Sequence, residues 1–177
     1  MSLYSDLEQA IRNTAKLALT QYPTTRVMFS HNNTTEPDES YVVINILEMR
    51  QIGRHSTSSK LDSSNTLSTQ VSYEVMVQFS FLGSLSAEMS HEFTQRLNNN
   101  YLVLDSMKKN KVKMMRKSSV RRVPQLRDDK WVDNFNIDVT FSYIGLTQDV
   151  IDIIEAVVVE DVRADKTFRV PEGPIPV

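Results

Sequence analysis

The sequence contains no cysteine and only four glycines among its 177 residues. The absence of cysteine excludes disulfides, thiolate nucleophiles and cysteine-ligated zinc, and it is in keeping with a reducing cytosol. The glycines Gly53, Gly83, Gly145 and Gly173 lie far apart. No glycine-rich loop is therefore present to hold a phosphate, which argues against a Rossmann or P-loop fold.

Long apolar runs are also missing. No stretch approaches the roughly 20 apolar residues that span a bilayer, and residues 1–6 lack the basic and apolar regions of a signal peptide. We therefore expect a protein of the cytoplasm with no membrane partner. The chain is 40% hydrophobic and 24% charged, with a formal net charge of −2. These values are typical of one soluble domain with a real core, and not of a disordered chain or a globally basic nucleic-acid binder.

Apolar periodicity predicts two helices. The first covers residues 3–21, where apolar residues recur every three or four positions and Pro23 follows. Its other face, with Glu8, Arg12 and Lys16, is expected to be solvated. The second helix begins at Ser84 or Ser86. It either ends at the asparagines 98–100, which compete for backbone hydrogen bonds, or runs to residue 109.

The remaining pattern predicts strands. Alternation of apolar and polar residues gives two half-buried strands, 70–82 and 134–143, the second ended by Gly145. A strand at 41–50 is apolar on both faces at its start, which fits either a central strand covered on both sides or a strand with one face covered by another subunit. Its expected partner is strand 70–82, across a serine- and threonine-rich loop at 53–69. Weaker strand signals cover residues 26–29, 111–123 and 150–162.

These elements predict an α+β fold with a mixed, mainly antiparallel sheet and two helices packed on one face, in the order α-β-β-β-α-β-β-β. Residues 1–163 are expected to form a single domain. Residues 164–177 are expected to form an extended, proline-rich tail. Residues 124–130 read as a turn, and Trp131, which opens the strand after it, is expected to pack in the core or at its rim.

No catalytic or metal-binding pattern appears in the sequence, and we expect no enzyme activity and no cofactor. The three histidines, His31, His55 and His91, show no metal-ligand spacing and read as surface or packing residues. The acidic pairs 128–129 and 160–161 sit in a turn and near the chain end, where adjacent carboxylates are usually solvated. No serine lies in a nucleophile elbow.

One segment is unusually basic. Between Asp105 and Asp128 there is no acidic residue, whereas residues 108–127 hold nine lysines and arginines. One interpretation is contact with an acidic protein or a nucleic-acid backbone, and the other is a solvated loop and strand face. Aromatic residues do not alternate with the cations, so base stacking is not indicated.

The pattern resembles the tail-terminator, tail-completion and neck-terminator proteins of tailed bacteriophages. The resemblance is carried by the stretch 120–131 followed by the strand 134–143, by 41–54 with its Ile-Gly-Arg, and by 71–83 followed at once by a helix. It covers roughly residues 3–160. It implies a non-enzymatic virion protein, assembled in the host cytoplasm, that forms a ring, taken as a hexamer, and joins the tail tube to the head connector. DNA would pass through the lumen without specific binding.

Under this resemblance the basic segment is expected at an interface with a partner or a second subunit. The residues assigned to this interface are Arg54, His55, Lys113, Arg116, Lys117, Arg121 and Arg122. The alternative function is a nucleic-acid-binding module that uses residues 108–127, which predicts affinity that falls steeply with salt.

Overall fold

The computed structural model describes residues 3–32, 35–57, 66–127, 129–150, 158–161 and 166–169. At 55, 57, 66–67, 127, 148–150, 158–161 and 166–169 only the backbone is described. The chain divides into two compact units. The first is Met1–Ser56 with Gln70–Leu146, and the second is Thr57–Thr69 with Thr147–Val177. The predicted boundary at residue 163 stays a prediction.

Three helices and eight strands are described up to residue 150. The helices are α1 (Leu3–Ala18), α2 (Ser86–Asn99) and α3 (Tyr101–Lys109). The strands are β1 (Arg26–Phe29), β2 (Tyr41–Thr57), β3 (Thr66–Leu82), β4 (Val112–Lys117), β5 (Arg121–Arg122), β6 (Gln125–Arg127), β7 (Lys130–Val132) and β8 (Asn134–Val150). In the second unit, β9 (Val158–Asp161) pairs with β10 (Lys166–Arg169) in an antiparallel hairpin.

The main sheet has the strand order β1-β2-β3-β8-β4, and β5 also pairs with β8. The short strand β1 runs parallel to β2, whereas β4 and β5 run antiparallel to β8. The predicted class, α+β with a mixed and mainly antiparallel sheet, is therefore confirmed. The predicted pairing of strand 41–50 with strand 70–82 is confirmed too, because β2 and β3 are neighbours.

One hydrophobic core joins the three helices to one face of the sheet. On β3, the alternate residues Val75, Val77, Phe79 and Phe81 are fully buried, whereas the residues between them are only half-buried. The Phe93 ring of α2 lies 4.7 Å from that of Phe79, centroid to centroid. The period-2 pattern of the strand thus selects the helix-covered face.

The expectation of two helices is wrong, and Asn100 is the physical reason. Its backbone is extended (φ −88°, ψ 120°), which ends α2, and its side-chain oxygen accepts hydrogen bonds from the backbone N–H groups of Leu102 and Val103. An asparagine in this position is a preferred N-cap. The asparagine run therefore stops one helix and starts another. The first helix also ends earlier than expected, at Ala18.

Several strands differ from the prediction. In the expected loop 53–69, residues 53–57 belong to β2 and residues 66–69 to β3, and the intervening residues 58–65 lie outside the described part. Gly145 does not end β8. A Cβ added there would lie 2.2 Å from Leu3 Cδ1, so the missing side chain admits the start of α1 against the strand.

The region from 111 to 132 is more broken than expected. The expected strand 111–123 is interrupted at residues 118–120, giving β4 and β5. The expected turn 124–130 contains β6 and begins the hairpin with β7. Of the expected strand 150–162, residue 150 ends β8 and 158–161 form β9, while the rest lies outside the described part; β10 lies inside the expected tail. The proline-rich residues 170–177 lie outside the described part.

Candidate assembly surfaces

The predicted interface cations lie along one edge of the main sheet. Lys113, Arg116 and Lys117 belong to β4, and Arg121 and Arg122 form β5. Both strands pair with β8, and β4 is the last strand in the sheet order. The outer backbone groups of an edge strand are a template for pairing with another chain. The structure therefore brings five of the seven predicted site residues to one edge.

Three of these cations already form ion pairs within the chain. Arg122 Nη2 lies 2.6 Å from Asp133 Oδ1, Arg116 Nη2 lies 3.4 Å from Glu74 Oε1, and Arg121 pairs with Asp138. The arginine side chains are half or more exposed, so each pair stabilises the fold by only about 0–1 kcal/mol. Their main consequence is electrostatic, because the carboxylates cancel much of the charge that the sequence places on this edge.

Glu74 of β3 joins two arginines from different strands. Its Oε2 accepts from Arg50 Nε at 3.0 Å, and its Oε1 faces Arg116, whose Nε donates to Thr140 Oγ1 at 3.1 Å. The hydrogen bond that Arg50 donates to Glu74, together with the negative charge of Glu74, raises the pKa of Arg50 above its usual value. The network connects side chains from β2, β3, β4 and β8, and both arginines in it bind acceptors of their own chain.

The other predicted site residues have different surroundings. Lys117 Nζ donates to the backbone oxygen of Thr94 in α2 at 3.0 Å, so it fastens the sheet edge to a helix. Arg54 is exposed and forms no ion pair among the described residues. The side chain of His55 lies outside the described part. Among the described residues, Lys108 and Lys113 are exposed and have no carboxylate partner, which leaves them as the free cations of this region together with Lys111.

A two-stranded hairpin, β6–β7, carries two exposed apolar side chains. Leu126 and Trp131 are directly opposite each other in the register, and 59% and 73% of their surfaces are exposed. Opposite residues project to the same face of a hairpin. The expectation that Trp131 packs in the core or at its rim is therefore wrong. The turn at Asp129, with φ +61°, reverses the chain here.

A groove of about 420 Å³ lies between α2, α3 and the edge strand β4. Three buried apolar residues belong to its lining: Leu97, Met107 and Val112. Leu104, which is 43% exposed, also lines it. The two free cations, Lys108 and Lys113, belong to its lining. The lining residues of α2 and α3 stand on either side of Asn100, which ends α2 and caps α3.

Neither the hairpin nor the groove was found from the sequence. The hairpin had a weak signal, since residues 125–127 and 130–132 flank two consecutive aspartates, a common turn composition. The groove had no sequence signal, because its lining residues come from three separate elements.

A second, more polar groove of about 660 Å³ lies between α1 and β1. Arg12, Lys16 and Arg26 line it. The prediction that Arg12 is solvated is wrong in part: its guanidinium lies 5.0 Å from the centroid of the Phe29 ring, and its Nε is buried without a hydrogen-bond partner. Contact with the ring face stabilises the cation.

Catalytic and metal-binding arrangements are not seen in the described part of the chain. No group of three or more metal-ligating side chains occurs there. His31 stacks on Phe29, and its Nε2 is 3.6 Å from Glu8 Oε1, too far for a hydrogen bond. Burial raises the pKa of Tyr143, with smaller contributions from the charges of Asp6 and Tyr73. Within the same part, none of the helices has the length and apolarity to cross a membrane.

Comparison with known proteins gives one family. The model of the family described as phage neck terminator protein matches residues 1–165. Among solved structures, the chain is similar to the PVC sheath/tube terminator of an extracellular contractile injection system in the extended state, with a TM-score of 0.46 and 12% identity. The match covers 89% of this chain and 63% of that one, so this chain spans less than two thirds of its length. No curated protein matches the sequence.

Proposed function

The chain belongs to the family of phage neck terminator proteins, and from that membership we propose that it forms a ring at the end of the tail or neck and joins the tail tube to the head connector. The family is a structural one of tailed phages, which makes the chain a virion component and not a member of an enzyme class. The observation that carries the proposal is the extent of the match, because residues 1–165 include every strand and helix of the first unit.

The proposed ring needs a heterologous interface, in which one patch of a subunit meets a different patch of its neighbour. The chain has two different apolar surfaces that suit this need. One is the exposed face of the β6–β7 hairpin and the other is the groove between α2, α3 and β4. Large exposed apolar groups beside charged residues are typical of interaction sites. These surfaces support assembly, and we propose that six copies form the ring.

The sheet edge is the proposed contact for neighbouring subunits or for the tail tube. It carries Lys113, Arg116, Lys117, Arg121 and Arg122. Arg54 and His55, near the end of β2, are proposed as a separate partner contact. Assembly is proposed to take place in the host cytoplasm, with DNA passing through the ring lumen.

The ion pairs favour this function over nucleic-acid binding through residues 108–127. Every phosphate contact releases counterions, so the slope of log affinity against log salt is about −0.9 for each phosphate neutralised on duplex DNA. With the arginines of the edge paired, the free cations among the described side chains of this segment, lysines 108, 111 and 113, would give a slope of only about −3. That is shallow compared with a dedicated binder, which makes 6–10 such contacts.

The proposal is tested with purified protein and with phage tails assembled in its absence. Negative-stain images and light scattering at several concentrations should show closed rings, or rings on one end of each tail. The mass of the rings would give the number of copies. A protein that stays monomeric at every concentration and adds no density to tail ends would refute the proposal. Tight, salt-sensitive binding to DNA by such a monomer would favour the nucleic-acid alternative.

A further inference from the structure

The exposed hairpin and the apolar groove have complementary properties. The hairpin presents the apolar pair Leu126 and Trp131 beside Asp129, an exposed acid that forms no ion pair among the described residues. The groove presents an apolar lining beside Lys108 and Lys113, which lack acidic partners in the same part of the chain. We propose that the hairpin of one copy inserts Trp131 into the groove of the next copy, with Asp129 facing Lys113.

Size and chemistry select this occupant. Clefts that hold whole small ligands have volumes of roughly 300–1,000 Å³, so a groove of about 420 Å³ has room for an indole ring and an adjacent leucine. Tryptophan is the side chain most enriched among residues that dominate interface energies, and it acts when it fills a desolvated pocket. The opposite charges of Asp129 and Lys113 favour one orientation of the hairpin over its reverse.

A single copy has the two surfaces at different ends of one strand. β4 begins where Val112 pairs with Tyr143 of β8, whereas Val123, just before the hairpin, donates its backbone N–H to Asn134 at the start of β8. The nine residue steps from Asn134 to Tyr143 span about 30 Å of extended chain. The groove therefore meets the hairpin of a different copy. A contact between two different patches repeats from copy to copy, which is the interface that the proposed ring requires. This inference rests on the proposed function.

Truncation of the aromatic side chain gives the first test. Trp131→Ala should weaken self-association about 30-fold or more, as expected for a central interface residue. The matched control is Tyr4→Ala, since Tyr4 is also an exposed aromatic residue but belongs to α1. Its effect should be within about twofold of wild type. Equal effects of the two variants in analytical ultracentrifugation would overturn the inference.

The charge contact is tested by a double-mutant cycle. Asp129→Asn removes the acid and keeps a residue that tolerates the left-handed backbone at this turn. Lys113→Gln removes the proposed partner. Each single change should weaken association about threefold, and the double variant should be no weaker than either single one, because both remove the same contact. Independent, multiplying effects would contradict the pairing.

Cross-linking separates this inference from the proposed function. The chain contains no cysteine, so Lys130→Cys in the hairpin and Lys108→Cys beside the groove can be introduced on separate copies. A short bismaleimide should join the two in a mixture, and should not join Lys108→Cys to copies carrying Gln9→Cys on α1. Rings without the hairpin–groove cross-link would overturn the inference and leave the ring. The cross-link without rings or capped tails would support the inference and refute the proposed function.

Discussion

Asn100 is the residue whose replacement tests most sharply how the groove is built. Its side-chain oxygen accepts from Leu102 N at 2.9 Å and from Val103 N at 3.3 Å, which caps α3. Removing such a cap costs about 1 kcal/mol, with a range of about 0.5–2 kcal/mol. We therefore expect Asn100→Ala to lower the free energy of unfolding by this amount and to loosen the helix that carries Leu104 and Met107.

The neighbouring Asn99 gives a matched control. It is the last residue of α2 and is exposed. Alanine is a better helix former than asparagine, by up to about 0.7 kcal/mol, so Asn99→Ala should leave stability unchanged or raise it slightly. The two variants, identical in composition, should then differ by about 1.5 kcal/mol.

Urea unfolding followed by circular dichroism measures this difference. With a denaturant slope of about 2 kcal/mol per molar urea, the midpoints should differ by about 0.7 M. The measurement should be repeated at a tenfold lower protein concentration, because self-association makes apparent stability depend on concentration. Midpoints that coincide would refute the cap. A lower stability for Asn99→Ala would show that the wrong asparagine has been assigned to the helix junction.

Three further changes test the core, a turn and the basic edge. Phe79→Ala should cost about 3–5 kcal/mol by urea unfolding, because the ring is fully buried against two other phenylalanines; a cost below about 1 kcal/mol would contradict its place in the core. Gly83→Ala should lower the free energy of unfolding by about 1–3 kcal/mol more than Gly53→Ala. Both glycines have positive φ, but only at Gly83 would the new Cβ meet Ser40, 2.8 Å from its Cα. Equal costs would show that the chain around Gly83 shifts freely to remove this close contact. The double reversal Arg121→Glu with Arg122→Glu should leave the fold nearly intact, as the ion pairs are exposed, and should reduce ring formation in negative stain; unchanged assembly would make this edge a solvated surface.

The sheet was predictable because apolar residues alternate along its strands and so indicate which face of each strand is buried. Val77, Phe79 and Phe81 alternate with the polar residues Gln78 and Ser80, so one face of β3 had to be buried wherever the strand lay. The same rule fails for the ends of β2 and β3. In the sequence, residues 51–57 and 66–70 contain only two large apolar residues, Ile52 and Leu67, and the backbone hydrogen bonds that pair strands leave no periodic trace in the side chains.

The helix count and the surfaces were harder to predict for a different reason. Asn98, Asn99 and Asn100 have the same chemistry, and only the backbone angles at Asn100 decide that it acts as a cap. Tryptophan is usually found in or near a core, yet Trp131 is exposed on a hairpin outside the main sheet. From one sequence we can predict that a large apolar ring is buried. We cannot predict whether its own chain or a neighbouring subunit buries it.

The internal pairing of the basic edge has a consequence for the proposed passage of DNA. Free cations lining a channel would bind a polyanion through counterion release. Arg116, Arg121 and Arg122 each face a carboxylate of their own chain, so this edge attracts DNA weakly, wherever it lies in a ring. Assembly that depends on the remaining lysines should weaken only modestly with salt, because the apolar part of the proposed contact is insensitive to screening. A steep loss of rings between about 50 and 200 mM salt would show that charge, and not the apolar contact, holds the subunits together.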